Sequence, residues 1–248
     1  MSTPDTPTVV LVHGGFVDAS NWTPLIQELQ ARGLPVLAPA NPLRNLADDS
    51  AYIASVVNDI DTPVLLVGHS YGGAVITVAG AAADNVVGLV YLAAFILDED
   101  ESFTDVLSQF PDTGLQAALR PHNYPLPGSD EMGLEFTLAP ELFGPQFAAD
   151  VPSEINEVAA ITQRPFAAVF DERAEAAAWK TLPSWAMIAT SDRMIHPDAQ
   201  RFMAKRTGAR TITEIDASHS VAVSQPKAVA DLIQTAIKAM TPVPAGAS

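Results

Sequence analysis

Apolar residues in this chain fall into short unbroken runs, separated by stretches in which they recur every three or four positions. Residues 8–12, 34–38, 64–67 and 86–95 are runs of the first kind, rich in valine, leucine and isoleucine. A strand that is apolar on every residue has no face for water. Such strands belong to parallel sheets covered by helices on both sides. The intervening stretches supply those helices. Residues 22–32 have helical spacing and stop at Gly33, and residues 48–60 have Asp48, Asp49 and Ser50 as available caps. A third helix is expected just after Ser70. The alternation resumes near the end, with strand 184–189, helix 197–207, strand 211–215 and helix 227–240. The expected fold class is α/β, a mostly parallel sheet of about six strands with helices on both faces.

Residues 97–180 break the alternation. They carry many prolines, scattered aromatics and short helix-like stretches, with no clear strand. One domain spanning 1–248 and interrupted by an insertion at 97–180 accounts for this better than two independent domains. The last residues, 241–248, are Pro, Gly, Ala, Ser, Thr and Val, and a flexible tail is expected there.

Charge narrows the partners. Lys plus Arg number 13 against 29 Asp plus Glu, a net of −16, and residues 97–180 alone hold 16 acidic side chains against four basic ones. A field of that sign repels phosphate backbones and anionic lipid, so nucleic acid and membrane are not expected partners. The first residues, Met-Ser-Thr-Pro-Asp, have neither a basic region nor an apolar signal core. With no cysteine there is no disulfide, thiolate nucleophile or cysteine-ligated metal. A cytoplasmic location is expected.

The chemistry begins at Gly68-His69-Ser70-Tyr71-Gly72, which follows one apolar run and precedes a small-residue helix. A strand, a serine with glycines two residues to either side, and a helix make a nucleophile elbow, in which a sharp turn leaves the hydroxyl above the sheet. Serine needs a base to take its proton. Of the five histidines, His219 lies in the loop just past the strand 211–215, and catalytic groups of open α/β sheets gather at the carboxyl ends of strands. His69 adjoins the serine but should point away from it, His13 ends the first strand, His122 lies in the insertion, and His196 approaches a helix. The histidine in turn needs a carboxylate. Asp192 follows the strand 184–189 and is preferred to Asp198, which sits in a first helical turn, and to Asp216, which is too close to its strand end. An oxyanion also needs backbone N–H donors. Tyr71, directly after the serine, supplies one, and the loop His13-Gly14-Gly15-Phe16 is placed to supply the other.

Taken as a set, His13-Gly14-Gly15-Phe16, Gly68-His69-Ser70-Tyr71-Gly72, Asp192 and His219 resemble the α/β-hydrolase superfamily, from Thr8 to about Met240. By that likeness residues 97–180 form a helical cap, and the family's first two strands are absent. This resembles the compact branch of small esterases, methylesterases, hydroxynitrile lyases and cofactor-free haloperoxidases. The likeness implies Ser70, Asp192 and His219 as catalytic residues, Gly15 and Tyr71 as oxyanion donors, and Phe16 against the substrate. It implies no metal and no cofactor. Serine at position 70 excludes the branches that use an aspartate nucleophile. Gly14 and Ser220 stand where plant-type hydroxynitrile lyases carry threonine and lysine. The expected activity is hydrolysis of small neutral carboxylic esters or lactones. Carbon–carbon hydrolysis or perhydrolysis on the same triad is the alternative, and a non-catalytic receptor is the third reading.

Overall fold

The computed structural model describes residues 6–240; the expected tail at 241–248 lies outside them. Six strands form the main sheet in the order β2-β1-β3-β4-β8-β9. They are β1 (Thr8–Val12), β2 (Val36–Leu37), β3 (Val64–His69), β4 (Val86–Leu92), β8 (Ser184–Ala189) and β9 (Thr211–Ile215). Every neighbouring pair is parallel. The unbroken apolar runs are explained by two separate cores. Val10, Val12 and Leu66 face one core with Ile53, Val57, Val75 and Met203. Val9, Leu11, Leu65 and Val67 face the other with Leu25, Leu29, Ile233 and Ala236. The helices Leu46–Asn58, Tyr71–Ala79 and Pro197–Arg206 therefore cover the first face, and Thr23–Ala31 and Pro226–Met240 the second.

The chain leaves β1 toward β2, then returns to place β3 on the other side of β1 and moves on to β4. That reversal opens a crevice beyond the carboxyl ends of β1 and β3, the usual ligand position in open α/β sheets. His13 follows β1, and Ser70 follows β3.

Several boundaries differ from expectation for local reasons. The strand expected at 34–38 pairs only at Val36–Leu37. The run 86–95 leaves the sheet after Leu92, because Ala93 adopts φ 45° and turns the chain so that Phe95 N–H donates to Ser70 C=O at 3.1 Å. The helix expected from residue 48 starts at Leu46, and its cap is Asn45, whose Oδ1 accepts from Asp48 N–H at 2.7 Å. Asp49 is turned inward instead.

The stretch 97–180 does hold helices, at Phe103–Leu107, Leu115–Ala118, Pro140–Phe147 and Ser153–Ile161. The expectation that it lacks strands was wrong. A second sheet of three antiparallel strands is present, made of β5 (Leu119–Pro125), β6 (Met132–Leu138) and β7 (Phe166–Ala167). β5 contains two prolines and is mostly exposed, so burial imposes no alternation on it. Phe103, Phe143, Phe147 and Phe166 of this stretch join the core on the first face of the main sheet.

Candidate active site

β3 is buried along its whole length and is followed by Ser70, which adopts φ 56°, ψ −126° before the helix Tyr71–Ala79 begins. A non-glycine residue in that region is strained by about 1–3 kcal/mol and persists only where its surroundings impose it. They do so here. Ser70 N–H donates to Leu92 C=O at 3.3 Å, and Ser70 C=O accepts from Gly73 and Phe95 N–H at 3.0 and 3.1 Å. The turn also requires close backbone approach. A Cβ on Gly72 would lie 2.2 Å from Val12 O, and one on Gly14 would lie 2.6 Å from Ser70 Cβ.

His219, in the loop after β9, is fully buried. Its Nδ1–H donates to Asp192 Oδ2 at 2.7 Å, across the neighbouring ends of β8 and β9. Asp192 is held on both oxygens. Oδ1 accepts from Met194 and Ile195 N–H at 2.7 and 3.0 Å, and Oδ2 also accepts from Gln200 Nε2 at 2.7 Å. Gln200 is fixed in turn, donating to Ile195 C=O at 2.9 Å and accepting from Ala189 N–H at 3.1 Å. With Nδ1 carrying the proton, His219 Nε2 presents a lone pair. That atom is buried and has no hydrogen-bond partner.

His69 packs against His219. Its Nε2–H donates to His219 C=O at 2.8 Å, and the two rings lie 4.6 Å apart between centroids. Burial, and then the neighbouring His219, hold the His69 pKa well below its usual value, so the ring is neutral. Phe147 packs edge-on against His219 at 4.9 Å and against His69 at 6.1 Å.

The loop after β1 approaches from the other flank. His13 Nε2 accepts from Asn41 N–H at 2.9 Å, and Asn41 Nδ2 donates to His13 C=O at 3.0 Å. Burial lowers the His13 pKa from 6.5 to about 4. Gly15 and Phe16 share the lining of one cavity of ≈ 30 Å³ with Ser70 and Tyr71, closed by Phe95, Phe103 and Phe166. A Cβ on Gly15 would meet the Phe166 ring at 2.9 Å, so only glycine fits beside it. A larger apolar groove of ≈ 770 Å³ lies beyond, and Leu107, Leu115, Phe170 and Met194 line both spaces.

The other residues weighed from sequence lie elsewhere. His122 is exposed on β5 and reaches Glu135 at 3.1 Å. His196 caps the helix Pro197–Arg206, Asp198 pairs with Arg201 at 2.7 Å, and Asp216 accepts from Ser191 at 2.7 Å. Sequence reasoning missed Gln200 and read Asp49 only as a helix cap. A glutamine one helical turn inside an otherwise charged helix gives no signal until its burial is known. Among the described residues no cluster of His, Cys, Asp or Glu has the makings of a metal site. No helix among them is long and apolar enough to cross a membrane.

A nucleophile-elbow turn at a sheet switch point, beside a buried carboxylate–imidazole pair, defines a hydrolase-type α/β protein. The model of the alpha/beta hydrolase family matches residues 9–232, and the chain belongs to that family. Methylesterase 1 of Arabidopsis thaliana is 23% identical over 243 residues, covering 90% of this chain and 92% of that protein. The crystal structure of polyneuridine aldehyde esterase superposes with a TM-score of 0.82 at 22% identity, covering 94% of this chain and 100% of the other. A pyrethroid hydrolase from Sphingobium faniae JZ-2 gives a TM-score of 0.75 at 20% identity over 94% of this chain and 98% of its own.

Proposed function

We propose that this protein is a serine hydrolase that cleaves small neutral carboxylic esters through an acyl-enzyme, with Ser70 as nucleophile, His219 as base and Asp192 as the carboxylate that orients it. The observation that carries this is the buried His219, with Nδ1 on Asp192 at 2.7 Å and its buried Nε2 without a hydrogen-bond partner, beside the residue that precedes a strained elbow serine. Relatives named as esterases and a pyrethroid hydrolase support the same chemistry.

In this mechanism His219 Nε2 takes the Ser70 proton as Oγ attacks the ester carbonyl. Asp192 keeps the imidazole in the tautomer that can accept, and stabilises the imidazolium that results. Backbone N–H groups of Gly15 and Tyr71 receive the oxyanion, each worth about 3–4 kcal/mol of transition-state stabilisation. His219 returns the proton to the leaving alcohol, then activates water to release the acid. The apolar lining shared by Phe16, Phe95, Phe103 and Phe166 suits uncharged substrates, and the net charge of −16 disfavours anionic ones.

The test is steady-state hydrolysis of p-nitrophenyl esters from acetate to decanoate, with Ser70→Ala alongside. Turnover on the short esters that falls by about 10⁴-fold or more in the variant is the expected result. Absence of turnover on every chain length overturns the esterase reading.

A further inference from the structure

Both segments assigned to the oxyanion site are held by one stretch of chain, residues 41–49. Asn41 grips the loop after β1 twice, its N–H on His13 Nε2 at 2.9 Å and its Nδ2 on His13 C=O at 3.0 Å. Asp49 holds the other segment. The Tyr71 hydroxyl donates to Asp49 Oδ2 at 2.8 Å, and both groups are buried. The Asp49 carboxylate is fixed in its turn by Arg44 N–H, at 3.2 Å to each oxygen. Leu43 sits between these anchors with φ 63°, so the stretch is bent rather than extended.

The same stretch carries the second sheet. Leu43 C=O accepts from Ala167 N–H of β7 at 3.1 Å. The Arg44 guanidinium donates to Glu135 of β6 at 2.6 Å and lies 4.6 Å over the Tyr124 ring of β5. Glu172, just beyond β7, accepts from Leu46 N–H at 2.5 Å. Among the described residues no other carboxylate bonds a side chain of the elbow helix. A buried acid whose bonds run to a tyrosine hydroxyl and to its own loop does not contribute to the hydrolytic steps, yet it fixes the residue that donates to the oxyanion.

We propose that Asn41 and Asp49 are positioning residues that set the two oxyanion donors relative to each other, and that the second sheet is tied to this geometry through the 41–49 stretch. The proposal rests on the serine-hydrolase reading above. A displaced donor weakens binding of the transition state while leaving ground-state binding almost untouched, because the oxyanion exists only after attack.

The experiment compares wild type with Tyr71→Phe, which removes only the hydroxyl, and with Asn41→Leu. It records kcat and KM on p-nitrophenyl acetate, the affinity for an aryl trifluoromethyl ketone that forms a tetrahedral adduct, and thermal stability. The expected result for each variant is a kcat lower by about tenfold with KM within twofold, and ketone affinity lower by the same factor. A kcat within threefold of wild type at a temperature where the variant is folded overturns the proposal, even if the melting temperature has fallen. A KM that rises in place of a falling kcat also overturns it. Labelling of Ser70 by a fluorophosphonate separates the two levels. A wild type that is neither labelled nor active sinks the hydrolase reading itself. A labelled wild type beside unimpaired variants sinks only the positioning role.

Discussion

Replacing Asp192 with asparagine exchanges one oxygen for an NH₂ group where both oxygens are already committed. Met194 and Ile195 N–H donate to Oδ1 at 2.7 and 3.0 Å, which fixes the end that must remain an oxygen. The new NH₂ therefore faces His219 Nδ1 and Gln200 Nε2, each at 2.7 Å from the present Oδ2. Toward His219 it donates, so Nδ1 becomes the acceptor and the ring proton moves to Nε2, which in the proposed mechanism leaves no base for Ser70. Loss of the carboxylate in this role lowers kcat by about 10⁴, equivalent to about 5.4 kcal/mol. Toward Gln200 two amide donors meet with no acceptor between them. A buried donor left unpaired costs about 2 kcal/mol, a fall in Tm of roughly 4–8 °C for a chain of this size. Ester hydrolysis and differential scanning calorimetry read the two effects separately. Asp198→Asn, at an exposed carboxylate paired with Arg201, is the control and should change neither. An Asp192→Asn enzyme within tenfold of wild-type kcat refutes the orienting role.

The neutral His13 makes stability depend on pH. Its folded pKa of about 4 lies below the ordinary 6.5, so between those values the unfolded chain binds a proton that the folded one does not. The stabilisation is complete above pH 6.5 and is lost as pH falls toward 4, amounting to about 3 kcal/mol. Urea unfolding of wild type and His13→Gln across that window should show the gap between them closing on acidification, and a constant gap rejects the account. Gly72→Ala would drive a methyl group to 2.2 Å from the Val12 carbonyl oxygen, which belongs to a central strand and cannot yield. Its expected cost is about 3 kcal/mol of folding stability, read as a lower urea midpoint at unchanged m.

Much of this architecture is legible in the chain because two cores act on one sheet. β1 and β8 fall where the sequence pattern puts them, since burial on both faces leaves each strand no freedom of pattern, whereas the edge strand β9 is half-exposed and alternates. The pairing of Asp192 with His219 is legible for a related reason: both sit in loops that leave adjacent parallel strands at the same end. What escaped has no periodic signature. β5 pairs through its backbone while its side chains face solvent. Gln200 and Asp49 matter through partners separated from them in sequence, Asp192 and Tyr71, and a polar residue on a helix announces such a bond only when its face is known to be inward.

With Ser70 as the proposed nucleophile, its backbone sets catalysis against stability. At φ 56°, ψ −126° a glycine would rest without the side-chain conflict that serine bears. Relief of about 1–3 kcal/mol outweighs the roughly 0.5–1 kcal/mol that glycine loses through its freer unfolded chain. Ser70→Gly should therefore melt above Ser70→Ala, which keeps the strain without the hydroxyl. A library of this gene screened for heat resistance alone would drift toward glycine at position 70, and its most durable members would be inert. On the proposed mechanism, a screen for turnover has to accompany one for heat resistance, because folding by itself favours losing the serine.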